Sequence, residues 1–100
     1  MNEQGCCRKK AVPRDENARK ALIHRLNRME GQIRGIRGMV ENDIYCNDVL
    51  IQCAAVSAAL NAFERELLAD HIRSCVAADL RAGKDEVVDE LMATMQRMMR

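Results

Sequence analysis

Aromatic residues are almost missing from this 100-residue chain, which has one tyrosine, one phenylalanine and no tryptophan. Sheets draw on aromatic and β-branched residues, so this scarcity argues against a β-rich fold. The Ala, Leu, Met and Val that supply most of the 48% hydrophobic content favour helices instead. Proline is nearly absent too: Pro13 is the only one, and neither proline nor glycine interrupts residues 46–82. A net charge of +1 excludes a uniformly basic or acidic protein. No secretory signal opens the chain, and its apolar stretches read as too short or too interrupted to span a bilayer. With an odd set of five cysteines, these absences predict a cytoplasmic protein with reduced thiols and no membrane partner. No oxyanion motif or cofactor fingerprint is present, so neither an enzyme nor a small-molecule substrate is expected. Helix-turn-helix and zinc-finger signatures are missing as well.

What the chain does have is unevenly distributed. Residues 1–40 carry ten Lys/Arg against four Asp/Glu, a balance of +6, while residues 41–100 come to −5. A basic front half predicts a polyanionic partner, with a solvated helix face as the alternative reading. Residues 1–14 are polar, basic and without periodicity, and read as a disordered tail. Residues 15–100 read as one helical domain, small enough to gain from oligomerisation.

Three helices are expected. The first starts near Asp15, with Leu22, Leu26, Met29, Ile33, Ile36 and Val40 in the alternating 4, 3 spacing of a heptad seam. A turn over Glu41-Asn42-Asp43 follows. The second helix begins around Tyr45 to Asp48 and runs to about Leu80. Its seam is Val49, Cys53, Val56, Leu60, Phe63 and Leu67; being apolar on more than one face, it is expected to be the most buried element. Gly83 ends it, and a third helix runs from about Asp85 to Met99.

The chemistry-bearing residues sit on the second helix. At about 100° per residue, His71 and Cys75 fall within roughly 20° of Cys46, on a stripe that continues the seam. His71 and Cys75 are an i, i+4 pair suited to holding one ion. Cys46, 25 residues earlier, is roughly 37 Å away on a straight helix and cannot join them within one chain. It can join them in an antiparallel dimer whose two-fold axis lies near residues 60 and 61, giving two equivalent intersubunit sites. Two thiolates and an imidazole are a soft donor set, suited to trigonal Cu(I), or to Zn(II) with a fourth ligand. The alternative is two buried cysteines and a satisfied histidine at a helix interface. Cys53 reads as core, Cys6 and Cys7 as incidental tail thiols, and Met92, Met95, Met98 and Met99 as packing.

The stretch from Ala18 to Leu91 resembles the copper-sensing repressor family of the CsoR type. The resemblance is carried by Arg25-Leu26-Asn27-Arg28-Met29-Glu30-Gly31-Gln32-Ile33-Arg34-Gly35-Ile36, Met39-Val40-Glu41-Asn42-Asp43 and Tyr45-Cys46-Asn47-Asp48-Val49-Leu50, with His71 and Cys75 at the family's spacing. It implies an all-α, three-helix protomer in an antiparallel helical dimer that forms a four-helix bundle, and a dimer of dimers making a homotetramer. It also implies Cu(I) bound by Cys46 of one protomer and His71 and Cys75 of the other. Tyr45 and a third-helix glutamate would reach the free imidazole nitrogen; Glu90 is the candidate, with Asp89 and Glu86 as neighbours. Relatives that sense other inducers differ at these positions.

The expected DNA surface is electrostatic. Lys20, Arg25, Arg28, Arg34 and Arg37 on the first helix are placed to contact phosphates, and Gln32 to reach a base edge. Where the family carries a further basic residue on the second helix, this chain has Ala62, with Arg65 nearby. The expectation is a repressor that holds operator DNA in the apo form and releases it on Cu(I) binding. The alternatives are a persulfide- or thiol-responsive repressor of the same fold, which would leave His71 without a task, and a copper-buffering protein without DNA binding, which would leave the basic front half unexplained.

Overall fold

The computed structural model describes residues 10 and 13–99, and among these the secondary structure is entirely helical. The expected tail over residues 1–14, with Cys6 and Cys7, falls mostly outside the described residues; Lys10, Pro13 and Arg14 are within them. Helix α1 spans Glu16–Glu41. Helix α2 runs from Cys46 to Arg81, as an α-helix over Cys46–His71, a π-helical turn over Ile72–Val76 and a last α-helical segment over Ala77–Arg81. Helix α3 spans Glu86–Met98. The chain divides into two units, Arg14–Leu67, and Met1–Pro13 with Leu68–Arg100.

Local chemistry fixes the helix ends. Asp15 caps α1, its carboxylate accepting from the backbone N–H groups of Asn17 at 3.2 Å and Ala18 at 3.4 Å; such a cap contributes about 1 kcal/mol. Helix α1 closes in a Schellman turn, with Ile44 N–H bonded to Met39 C=O at 3.0 Å and Asp43 N–H to Val40 C=O at 3.2 Å. That turn needs a left-handed residue, and Asp43 takes the position at φ 54°, a region that aspartate tolerates better than most residues. Helix α2 ends the same way, with Lys84 N–H bonded to Asp79 C=O at 2.8 Å and Gly83 N–H to Leu80 C=O at 3.1 Å. Here the left-handed residue is Gly83, at φ 80°.

In the first unit α1 turns back along α2. Arg25 Nη2 meets Glu66 Oε1 at 3.9 Å, and Met29 is buried. The rest of the α1 seam is less covered: Leu22 and Ile36 are half-buried, and Leu26, Ile33 and Val40 are exposed. In the second unit Val76 and Val87 are buried.

Helix α2 departs from its expected role as the most buried element: its long α-helical part, Cys46–His71, has no buried residue. Leu50, Ile51 and Leu60 are exposed by 63%, 56% and 44%, and Cys53, expected in the core, is exposed. A heptad seam is satisfied by another helix along its length, and α1 covers only part of this one. Exposed apolar surface on this scale marks an interaction site. The expectation about spanning length is corrected as well: by length and composition alone, Cys46–Arg81 is apolar enough to cross a membrane. The central helix of a helical assembly meets the same test, its apolar faces covered by other helices.

Candidate metal centre and nucleic-acid interface

Cys46 is the first residue of α2 and is exposed. It lies at a cleft lined by Val40, Asp43, Ile44, Val49 and Leu50, which the Schellman turn shapes by delivering Ile44 beside the start of α2. Tyr45, just before the helix, is 74% exposed. His71 closes the long α-helical part of α2 and Cys75 lies in the π turn; both are half-buried. Glu90 is on the exposed side of α3. Among the described residues, no group of three or more His, Cys, Asp or Glu side chains is gathered that could hold a metal ion.

The π turn changes the expected register. Its hydrogen bonds run i→i+5, so each residue turns through a smaller angle than in an α-helix. Cys75 therefore remains about one turn from His71 but is rotated from its expected position. Such turns recur at functional sites. At this turn Ser74 Oγ donates to the carbonyl of Asp70 four residues earlier, at 2.7 Å. A hydroxyl bonded back to the i−4 carbonyl bends a helix. Ser74 Oγ also lies 3.7 Å from Cys75 Sγ.

Two partners of this turn escaped the sequence reading. Lys10 Nζ donates to Ser74 Oγ at 3.4 Å and pairs with Asp70 Oδ2 at 3.6 Å. Lys10 belongs to a segment without periodicity, 64 residues from Ser74, so no spacing rule could have linked them. A serine beside a candidate ligand was the only available signal.

The basic residues of α1 fall into two groups. Arg25, Arg28 and Gln32, spaced i, i+3, i+7, line one cleft with Met29 and Ala59. By helical arithmetic Lys20, Arg34 and Arg37 lie toward the other side of α1, and all three are exposed. Arg34 pairs with Glu30 at 3.2 Å and Arg37 with Glu41 at 3.9 Å. Exposed pairs of this kind are weak, so a phosphate can displace the carboxylate at little cost.

Residues 18–97 match the family model described as metal-sensitive transcriptional repressor. The chain is 44% identical to the copper-sensing transcriptional repressor CsoR of Bacillus subtilis over 77 residues, 76% of each protein. It is 43% identical to the copper-sensing transcriptional repressor RicR of Mycobacterium tuberculosis over 79 residues, 76% of this chain and 82% of that one. Among solved structures it is similar to the copper-sensing repressor CsoR with Cu(I) from Geobacillus thermodenitrificans. That match has a TM-score of 0.86 and 35% identity, over 94% of this chain and 99% of the other. The nickel-responsive transcriptional regulator InrS is similar at a TM-score of 0.68 and 34% identity, over 87% and 97%.

Proposed function

The chain belongs to the metal-sensitive transcriptional repressors, and within that family we propose that it is the Cu(I)-responsive kind, binding operator DNA in the apo form and releasing it when Cu(I) is bound. The observation that carries this reading is the placement of the soft donors. His71 and Cys75 share one widened turn, and Cys46 begins the same apolar helix, which α1 covers only in part. An antiparallel second copy along α2 covers that surface and brings Cys46 of one protomer to His71 and Cys75 of its partner, twice per dimer. Two thiolates and an imidazole fit a soft monovalent ion. Cu(I) supplies bonds that tie the two protomers together at each end of the seam.

The remaining residues orient and transmit. Tyr45 adjoins Cys46, and Glu90 on α3 is the acceptor assigned to the free nitrogen of the His71 ring, fixing its orientation and linking the site to α3. Lys20, Arg25, Arg28, Arg34 and Arg37 hold phosphates, and Gln32 reaches toward a base edge. Residues 15–100 act as one domain that both senses and binds DNA, and two dimers join as a homotetramer to present α1 to the duplex. The protein works in the cytoplasm, where its DNA is. Linkage makes the switch reciprocal: Cu(I) weakens DNA binding by the same factor by which DNA weakens Cu(I) binding.

A mobility-shift titration tests this reading. Operator DNA bound by the apo protein is expected to dissociate as Cu(I) is added under reducing conditions, with affinity falling about 5–150-fold. Affinity unchanged at saturating Cu(I) rejects the switch.

A further inference from the structure

We propose that Lys10, Asp70 and Ser74 form a brace that positions the Cys75 sulfur for metal, so that a lysine from the N-terminal segment is a positioning residue of the sensor site. The inference rests on the Cu(I) reading above and adds residues to it.

Four contacts converge on the turn that carries the ligand. The Lys10 ammonium pairs with Asp70 Oδ2 at 3.6 Å and donates to Ser74 Oγ at 3.4 Å. Ser74 Oγ donates to the Asp70 carbonyl at 2.7 Å and lies 3.7 Å from Cys75 Sγ. The Lys10 side chain is only 17% exposed. A long, flexible side chain is held in so covered a place only when its contacts outweigh the rotamer freedom it loses. Both ends of the brace are therefore occupied: the carboxylate and hydroxyl by the ammonium, the backbone carbonyl by the hydroxyl.

The brace acts on geometry. A hydroxyl has a single proton, and the Asp70 carbonyl at 2.7 Å is its better acceptor; the ammonium then fills an acceptor position on the same oxygen. With its orientation fixed from two sides, Ser74 stays bonded to the Asp70 carbonyl at the start of the turn. The turn stays π-helical, and Cys75 stays at the rotation that turn imposes relative to His71. Without the ammonium, Ser74 is tied on one side only, and the turn is free to revert toward α geometry and carry the sulfur round with it. Partners one step removed from a metal ligand act in this way, and losing one typically weakens metal binding about 10–100-fold.

The test compares the full-length protein with Lys10→Met, Lys10→Arg, Ser74→Ala and the Lys10→Met/Ser74→Ala double variant. Cu(I) affinity is read by competition with bicinchoninate, and amide hydrogen exchange over residues 71–76 is read in the metal-free protein. K10M and S74A are each expected to weaken Cu(I) binding about 10–100-fold with unchanged helical content. K10R is expected to keep most of the affinity. The double variant should be little worse than the weaker single one, because residues of one network do not add. Exchange over 71–76 should quicken in metal-free K10M. Affinity within about two-fold of the parent in K10M, or fully additive losses, overturns the brace. If the parent binds Cu(I) and K10M and S74A bind it within about two-fold of the parent, the brace alone falls; if the parent does not bind Cu(I), both readings fall.

Discussion

Replacing Cys75 with alanine is expected to abolish the response to Cu(I) and leave apo DNA binding within about two-fold of the parent, the range of substitutions remote from a binding face. Cys75 lies in the π turn and is half-buried. The substitution removes one sulfur and no positive charge. What it takes from the protein is one of two thiolates, leaving an imidazole and a single sulfur to hold the ion. A direct ligand matters more than the outer partners whose loss costs about 10–100-fold, so the metal affinity should fall further than that. The coupling of about 1–3 kcal/mol between metal and DNA disappears with it. Mobility-shift titration of C75A with and without Cu(I) reads both halves of the expectation. A variant that still releases DNA at the same Cu(I) concentration removes Cys75 from the site.

A charge at the middle of α2 should have an equally large effect through a different route. Leu60 is 44% exposed in the single chain and lies at the proposed two-fold axis, where it meets its own copy. Burying a leucine contributes about 1.5–3 kcal/mol, and each dimer buries two. Leu60→Glu removes both and sets two carboxylates against each other in a site depleted of water. A loss of about 3–6 kcal/mol raises the dimer dissociation constant by roughly 10²–10⁴-fold. Sedimentation velocity should find monomers at concentrations where the parent is assembled, with Cu(I) binding lost in parallel because neither copy alone holds a complete site. A variant that stays assembled argues against a seam centred on residue 60.

These expectations could be read from the sequence because they rest on periodic features. The 4, 3 spacing from Leu22 to Val40 marked α1, and Asp15 and Gly83 marked boundaries found where a capping side chain and a left-handed turn require them. The spacing of Cys46, His71 and Cys75 along one uninterrupted helix was enough to suggest a shared site. Other features were hidden for physical reasons. The π turn over Ile72–Val76 coincides with a serine hydroxyl bonded to a backbone carbonyl, and helical arithmetic at a constant angle per residue has no place for either. The contact of Lys10 with Asp70 and Ser74 joins positions 60 or more residues apart without any repeat to connect them. The burial expected of α2 followed from its apolar composition, and the single chain does not supply it: Leu50, Ile51 and Cys53 remain exposed.

Complementation between two defective variants examines the intersubunit site most directly. Cys46→Ala and His71→Ala/Cys75→Ala should each lose tight Cu(I) binding as homo-oligomers, since every site in either lacks a ligand. Mixed and allowed to exchange subunits, they should regain it: in a mixed dimer the cysteine of the second variant meets the histidine and cysteine of the first, restoring one of the two sites. Tight Cu(I) binding that returns only on mixing is the result predicted here. No recovery, in a mixture shown to contain mixed dimers, would contradict a centre shared between protomers.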